Sequence, residues 1–65
     1  MKKELSPTEL IVLELSVGRT YQQIADIRGV SIHAIKQTME RIYLKYNVPT
    51  KIRALALARR RGDIK

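Results

Sequence analysis

The sequence predicts an all-α fold of four helices, and three observations lead to that prediction. Apolar residues recur three and four positions apart through most of the chain, which is the spacing of one helix face. A Ser or Thr that can act as an N-cap stands before each of these segments. No segment combines strand-like alternation with hairpin turn residues. A chain of 65 residues without cysteine predicts one small domain held by packing alone. We place it at residues 5–65, after an N-terminal tail of residues 1–4.

The first helix is predicted to begin within "LSPTE". Ser6 is a suitable N-cap, Pro7 fits the first helical position, and Glu9 stands three residues after Ser6. This arrangement predicts a capping box, in which two side chains satisfy backbone N–H groups that the helix leaves free. The apolar residues at helical spacing are Leu10, Leu13 and Val17, with Ile11 and Val12 beside them. Gly18 is predicted to end the helix as a C-cap.

The second helix is predicted by the same kind of signal. Thr20 and Gln23 have the spacing of a second capping box. The apolar face consists of Ile24, Ala25 and Ile27. Gly29 tolerates a positive φ and is predicted to end this helix, and Ser31 is predicted to cap the next helix after an interval of about three residues.

The third helix is predicted to run from residue 32 to residue 46. Its apolar residues are spaced 3, 4, 3 and 4 positions apart and form a continuous core stripe of Ile32, Ile35, Met39, Ile42 and Tyr46. "NVPT" ends the helix, because the residue before Pro49 resists the α conformation. The opposite, outward side carries His33, Lys36, Gln37, Glu40 and Arg41.

The fourth helix is predicted at residues 51–61, between a Thr50 N-cap and a terminating Gly62. Apolar residues occupy more than one of its sides. One side carries Ile52, Leu55, Ala56 and Arg59, and another carries Ala54, Leu57, Ala58 and Arg61. One side can pack on the core, and the other would be an exposed apolar patch unless a partner covers it.

The second and third helices have the order of a helix-turn-helix: a short helix, a tight turn containing glycine, and a longer helix with polar residues at its start. The net charge of +7 is unevenly placed, since residues 36–65 hold nine Lys and Arg against two acidic residues, whereas residues 1–18 have a balance of −1. This asymmetry favours a polyanionic partner, with nucleic acid first and an anionic membrane second. The predicted partner is therefore double-stranded DNA, whose major groove admits one helix.

From residue 5 to residue 64 the chain resembles the LuxR/GerE-type helix-turn-helix family of bacterial transcription regulators. The matching segments are "LSPTE" at 5–9, "GRTYQQIA" at 18–25, "VS" at 30–31, "IK" at 35–36, "RIYLKYNV" at 41–48 and "ALALARRRGDI" at 54–64. The chain departs from the family at Ala34, Thr38 and Gln23, where the family usually has Thr, His and Glu. The resemblance implies a DNA-binding regulator whose third helix enters the major groove.

The resemblance also implies roles for individual residues. The expected base-facing residues are Lys36, Gln37 and Glu40, together with His33 on the same outward side. The expected contacts to the DNA backbone are Tyr21, Gln22, Thr38, Arg41, Lys45 and Lys51. The family dimerises through its fourth helix, and the expected homodimer interface is Ala54, Leu57, Ala58 and Arg61. A two-fold dimer would place two recognition helices about one DNA turn apart, which matches a palindromic site.

Enzyme activity, a metal site and a cofactor are not expected. His33 is the only histidine, and no residue at a suitable spacing would make it a catalytic base or a metal ligand. No apolar run approaches the roughly 18–20 residues that span a bilayer. "MKKELSP" is not followed by the apolar segment of a signal peptide. We therefore expect a cytoplasmic protein without membrane contact.

Two other functions remain open on the sequence. A protein-interaction module of the same fold could pair with a separate regulatory protein, and Ala34, Thr38 and the acidic Glu40 favour that reading. A module similar to region 4 of sigma factors would share the "LSPTE" and "QQIAD"-type segments. The C-terminal segment "NVPTKIRALALARRRGDI" favours the LuxR/GerE type instead.

Overall fold

The computed structural model describes residues 4–64, which form four helices and, over this range, no strand. The helices are α1 (Pro7–Leu15), α2 (Tyr21–Arg28), α3 (Ile32–Tyr46) and α4 (Lys51–Arg61). The predicted all-α fold of four helices is therefore confirmed. Residues 1–3 of the predicted tail and residue 65 of the predicted domain lie outside the described residues.

Each helix begins at the N-cap that the sequence predicts, because the hydrogen bonds of a cap join residues only three positions apart. The four N-caps are Ser6, Thr20, Ser31 and Thr50. In the first capping box, the Glu9 N–H donates to Ser6 Oγ at 3.2 Å, and the Ser6 N–H donates to Glu9 Oε1 at 2.8 Å. Thr20 and Gln23 form the second capping box with the same pair of distances.

The C-terminal ends of the helices follow the sequence less closely. Gly29 and Gly62 end α2 and α4 in the left-handed conformation, as predicted. The end of α3 is formed by Asn47 at φ 56°, one of the few residue types besides glycine that adopts this conformation readily. The prediction at Gly18 was wrong: α1 ends at Leu15, and Gly18, at φ 74°, lies in the turn that follows.

Helix α3 packs against each of the other three helices and carries the centre of the core. The buried apolar residues are Leu5, Val12, Leu13, Ile24, Ala25, Ile35, Met39, Ile42, Tyr46, Ala54, Ala58 and Ile64. Four of the five residues in the predicted α3 stripe are thus in the core. The buried residues of α1, α2 and α4 belong to the same cluster as those of α3, so one hydrophobic core joins all four helices.

Three apolar residues that were predicted to face the core are exposed, namely Val17, Ile27 and Ile32. Val17 lies in the turn after α1, because that helix ends two residues earlier than its apolar spacing suggests. Ile27 is three residues after the buried Ile24, but α2 has only two turns, and its buried face is centred on Ile24 and Ala25. Ile32 is the first residue of α3, and a helical side chain points toward the N-terminus, away from the body of its helix.

Candidate nucleic-acid interface

A polar face runs along the outward side of α3 and consists of His33, Lys36, Gln37 and Glu40, the four residues predicted to face DNA bases. All four are exposed. They lie three and four positions apart, so they share one side of the helix over a length of about 10 Å. No side-chain hydrogen bond or ion pair within residues 4–64 involves any of them. Their donors and acceptors are therefore free for an external partner.

The polar face is presented outward because the rest of α3 is held from three sides. The turn between α2 and α3 spans only three residues and depends on Gly29 at φ 68°, where any other side chain would be strained. Short connections of this kind fix the angle between the two helices of a helix-turn-helix. One turn beyond Glu40, on the same side of α3, Leu44 is 77% exposed. Leu44 was not among the site residues predicted from the sequence.

One side of α3 is joined to α1 through a buried carboxylate. The side chain of Glu9 is only 4% exposed, yet it lies 2.6 Å from Lys45 Nζ and 3.4 Å from Arg41 Nε. Burial by itself raises the pKa of Glu9, but the hydrogen bonds from Lys45, the Ser6 N–H and Arg41 outweigh it and the pKa is lowered. Glu9 is thus ionised and neutralises basic charge on this side of α3.

One predicted contact to the DNA backbone, Thr38, is corrected by this arrangement. Thr38 is buried, and its hydroxyl donates to the Ala34 carbonyl oxygen at 2.9 Å and accepts from Arg41 at 3.3 Å. Lys45 donates to Glu9 Oε1 at 2.6 Å, and its side chain remains 32% exposed. Arg41 differs, because its side chain stays 56% exposed although it touches Glu9. Glu9 was predicted only as a capping residue, because no local signal in the sequence indicates partners 32 and 36 residues away.

The other side of α3 is joined to α2 through two tyrosines. The hydroxyl oxygens of Tyr21 and Tyr43 are 2.9 Å apart, and both residues are half-buried. One hydroxyl proton is used within the pair, so the other remains available for an acceptor outside the domain. Burial and the hydrogen bond with Tyr21 raise the pKa of Tyr43, which keeps its hydroxyl protonated. Gln22, next to Tyr21, is exposed and donates to Asp26 Oδ1 at 2.9 Å.

The start of α2 also gathers positive charge. Lys51, the first residue of α4, donates to the Arg19 carbonyl oxygen at 3.3 Å, which brings the beginning of α4 next to the loop before α2. A carbonyl oxygen carries no net charge, so Lys51 keeps its full positive charge. Arg19 is exposed as well and was not predicted as a site residue. Both cations lie near a helix N-terminus, which itself favours anions.

Two of the four residues predicted for the homodimer interface on α4 are buried in the core. Ala54 and Ala58 are 0% exposed, because they form the contact between α4 and the core. Arg61 lies over the Tyr46 ring at 5.3 Å and pairs with Asp63 at 3.4 Å. Leu57 is half-buried and packs against the same cluster. The exposed residues of α4 are Ile52, Arg53, Ala56, Arg59, Arg60 and Arg61.

The described part of the chain offers no group of three His, Asp or Glu residues that could hold a metal ion. Over residues 4–64, no helix has the length and apolar character needed to cross a membrane. Comparisons with known protein families, with curated proteins and with solved structures found no match for this chain.

Proposed function

We propose that this protein is a sequence-specific regulator of transcription that binds double-stranded DNA and inserts α3 into the major groove. The observation that carries the proposal is the exposed polar face of α3, whose four side chains have no partner within residues 4–64. That face lies in a helix-turn-helix on a chain with a net charge of +7. The major groove of B-DNA admits one α-helix, so an exposed polar face on the second helix of the motif supports this proposal.

Each of three residues on this face has a chemical counterpart on a base edge. Lys36 donates to guanine O6 or N7, Gln37 pairs with adenine through two hydrogen bonds, and Glu40 accepts from cytosine N4. Each good contact of this kind discriminates by about 1–3 kcal/mol. His33, at the start of the helix, supplies a further donor or acceptor.

Contacts to the DNA backbone would then come from the two sides of α3. Tyr21, Gln22 and Lys51 surround the beginning of α2, and Arg41 lies on the opposite side. Such contacts set the position of the protein on the duplex without reading its sequence. Two copies on adjacent half-sites would give a palindromic target with about 34–36 Å between the half-site centres.

A second function, an interaction module for another protein, is favoured by one observation. Ile52 on α4 is 79% exposed and lies beside the exposed Ala56, so an apolar surface remains on the outward side of α4. This function does not exclude DNA binding, since α4 and the polar face of α3 are different surfaces.

The direct test of DNA binding is selection from a pool of random duplexes at one fixed, near-physiological salt concentration. The salt must be fixed because the phosphate contribution to affinity falls steeply as ions are added. We expect enrichment of one motif, arranged as a palindrome. If the folded protein enriches no motif, the proposed function is wrong and the interaction module takes its place.

A further inference from the structure

The outward face of α4 is an apolar strip on an otherwise basic helix. Ile52 is 79% exposed, Ala56 is exposed one turn later on the same side, and Leu55 is half-buried beside them. Ala54 and Ala58, on the opposite side, are fully buried, so α4 has already satisfied its contact with the core. In the apolar strip of Ile52, Leu55 and Ala56, Leu55 therefore packs partly against the core, whereas Ile52 and Ala56 are left exposed.

Arginines flank the apolar strip. Arg53, Arg59 and Arg60 are exposed, and none of them forms an ion pair within residues 4–64. Helix α4, with the sequence KIRALALARRR, contains no acidic residue. Arg61 differs, because Asp63 and the ring of Tyr46 hold it against the domain. The face thus combines an apolar centre with positive charge that nothing on α4 neutralises.

These observations together favour a separate acidic partner over a second copy of this chain. In a two-fold contact between two α4 faces, each copy presents the same arginines to the other and no carboxylate to either. Charges closer than about 10 Å are only partly screened at physiological salt, so this arrangement is repulsive. A partner that carries Asp or Glu beside its own apolar residues turns the same charges into attraction.

The position of the face also separates it from the polar face of α3. The C-terminal end of α4 joins the last turn of α3, where Tyr46 donates to Asp63 Oδ2 at 2.7 Å. His33 is thirteen residues earlier in that helix, which corresponds to about 20 Å along its axis. The base-facing start of α3 is thus remote from Arg59 and Arg60 at the C-terminal end of α4.

We propose that the apolar strip of α4 and its flanking arginines bind an amphipathic, acidic helix of another protein. An amphipathic helix meets such a strip with apolar residues three and four positions apart and its acidic residues at the edges. Helix α4 is about 16 Å long, so the contact is small and we expect weak, transient pairing. The inference goes beyond DNA binding and does not depend on it.

The test uses the full chain and a fluorescent synthetic peptide as the probe. The peptide is helical, about 18 residues long, with a leucine stripe flanked by glutamates, and binding is followed by fluorescence anisotropy without DNA. We expect saturable binding that weakens about tenfold in Ile52→Ser, as expected for a central apolar contact. Leu44→Ser is the matched control, because Leu44 is 77% exposed but lies on α3. Circular dichroism checks that both variants keep their helices.

A charge exchange tests the role of the arginines. The double variant Arg59→Glu, Arg60→Glu is expected to lose the glutamate peptide and to gain a peptide in which lysines replace the glutamates. Absence of saturable binding, or equal binding of both peptides by the unmodified chain, would overturn the proposal. An equal loss in Leu44→Ser would do the same, because it would reveal unspecific apolar association.

Two further measurements separate the other possible occupants. Sedimentation velocity that shows a dimer, lost in Ile52→Ser, would assign the face to a second copy and overturn the proposal. The double variant Arg59→Ala, Arg60→Ala could also lower the slope of log DNA affinity against log salt by the amount expected for about two phosphate contacts. In that case the arginines contact DNA, and the proposal is overturned. DNA selection and peptide binding are independent readouts, so failure of the proposed function and failure of this inference are distinguishable.

Discussion

Lys45 Nζ lies 2.6 Å from Glu9 Oε1, across 36 residues of chain, and this ion pair fastens the first turn of α1 to the second half of α3. The same carboxylate caps α1 through the Ser6 N–H. A single buried side chain thus positions the helix that carries the polar face. The same ion pair partly neutralises the positive charge of Lys45.

Glu9→Gln should destabilise the domain. Glutamine keeps the volume and one acceptor for Ser6, but it removes the charge that Lys45 and Arg41 face. Hydrogen bonds to charged groups contribute about 1.5–3 kcal/mol, and we expect a loss in that range in urea unfolding. The control is Glu14→Gln, an exposed residue of the same helix, which should change stability by less than about 0.5 kcal/mol. Equal effects of the two substitutions would show that the ion pair contributes nothing.

The contribution of Glu9 should disappear in acid. Its folded-state pKa is lowered from the usual 4.5, so the unfolded chain takes up this proton at a higher pH than the folded chain does. The stabilisation is therefore complete above the unfolded pKa and is lost as the pH falls through the lowered value. The stabilities of the unmodified protein and of Glu9→Gln in urea unfolding, measured from pH 7 downward, should converge as the pH falls through the lowered pKa of Glu9. A difference that persists unchanged in acid would contradict the assignment.

Ala54→Leu should be far more harmful than Ala56→Leu. Ala54 is 0% exposed against the core, so three added carbon atoms overpack the core and cost about 1–3 kcal/mol. Ala56 is exposed on the same helix, and leucine is a good helix former, so the second substitution should be neutral within about 0.5 kcal/mol. Thermal unfolding of the two variants compares the faces directly. If Ala56→Leu were the more destabilising substitution, Ala54 would not face the core.

Lys36→Ala combined with Gln37→Ala should reduce sequence preference more than general affinity. Both side chains are exposed on the outward side of α3, so their removal leaves the core intact. Each lost base contact should reduce the difference in binding free energy between selected and random DNA by about 1–3 kcal/mol. Fluorescence anisotropy with the two duplexes at equal salt measures that difference. If the difference is unchanged in the folded variant, Lys36 and Gln37 do not contact the bases.

Lys51→Gln and Lys45→Gln should differ in their effect on the salt dependence of DNA binding. Lys51 contacts only a carbonyl oxygen in the structure and keeps its charge for phosphate, whereas Lys45 is paired with Glu9. Loss of one phosphate contact lowers the slope of log affinity against log salt by about 0.9. We expect that change for Lys51→Gln and almost none for Lys45→Gln. A larger change for Lys45→Gln would mean that DNA displaces Glu9 from this lysine.

The candidate site was predictable in part. The exposed polar face of α3 follows from helical periodicity, because a stripe of core residues on one side puts His33, Lys36, Gln37 and Glu40 on the other. The contacts at the edges of α3 were not predictable, since they depend on which neighbouring helix each edge meets. Thr38 and Lys45 are residue types that commonly contact phosphate. In the structure, however, the Thr38 hydroxyl donates to the Ala34 carbonyl oxygen, and Lys45 pairs with Glu9 from α1.

The sequence by itself determined where the four helices begin and that α3 has a buried and an exposed side. Those properties depend on hydrogen bonds and spacings within a few residues, which the local sequence contains. Only the tertiary structure decided that Ala54 and Ala58 face the core while Ile52 faces outward, and that Glu9 pairs with Lys45. On α4 both sides are apolar enough to be buried, so the local pattern is ambiguous. The choice is made by the packing of residues far apart in the chain, where only the side that fits against α3 can exclude water.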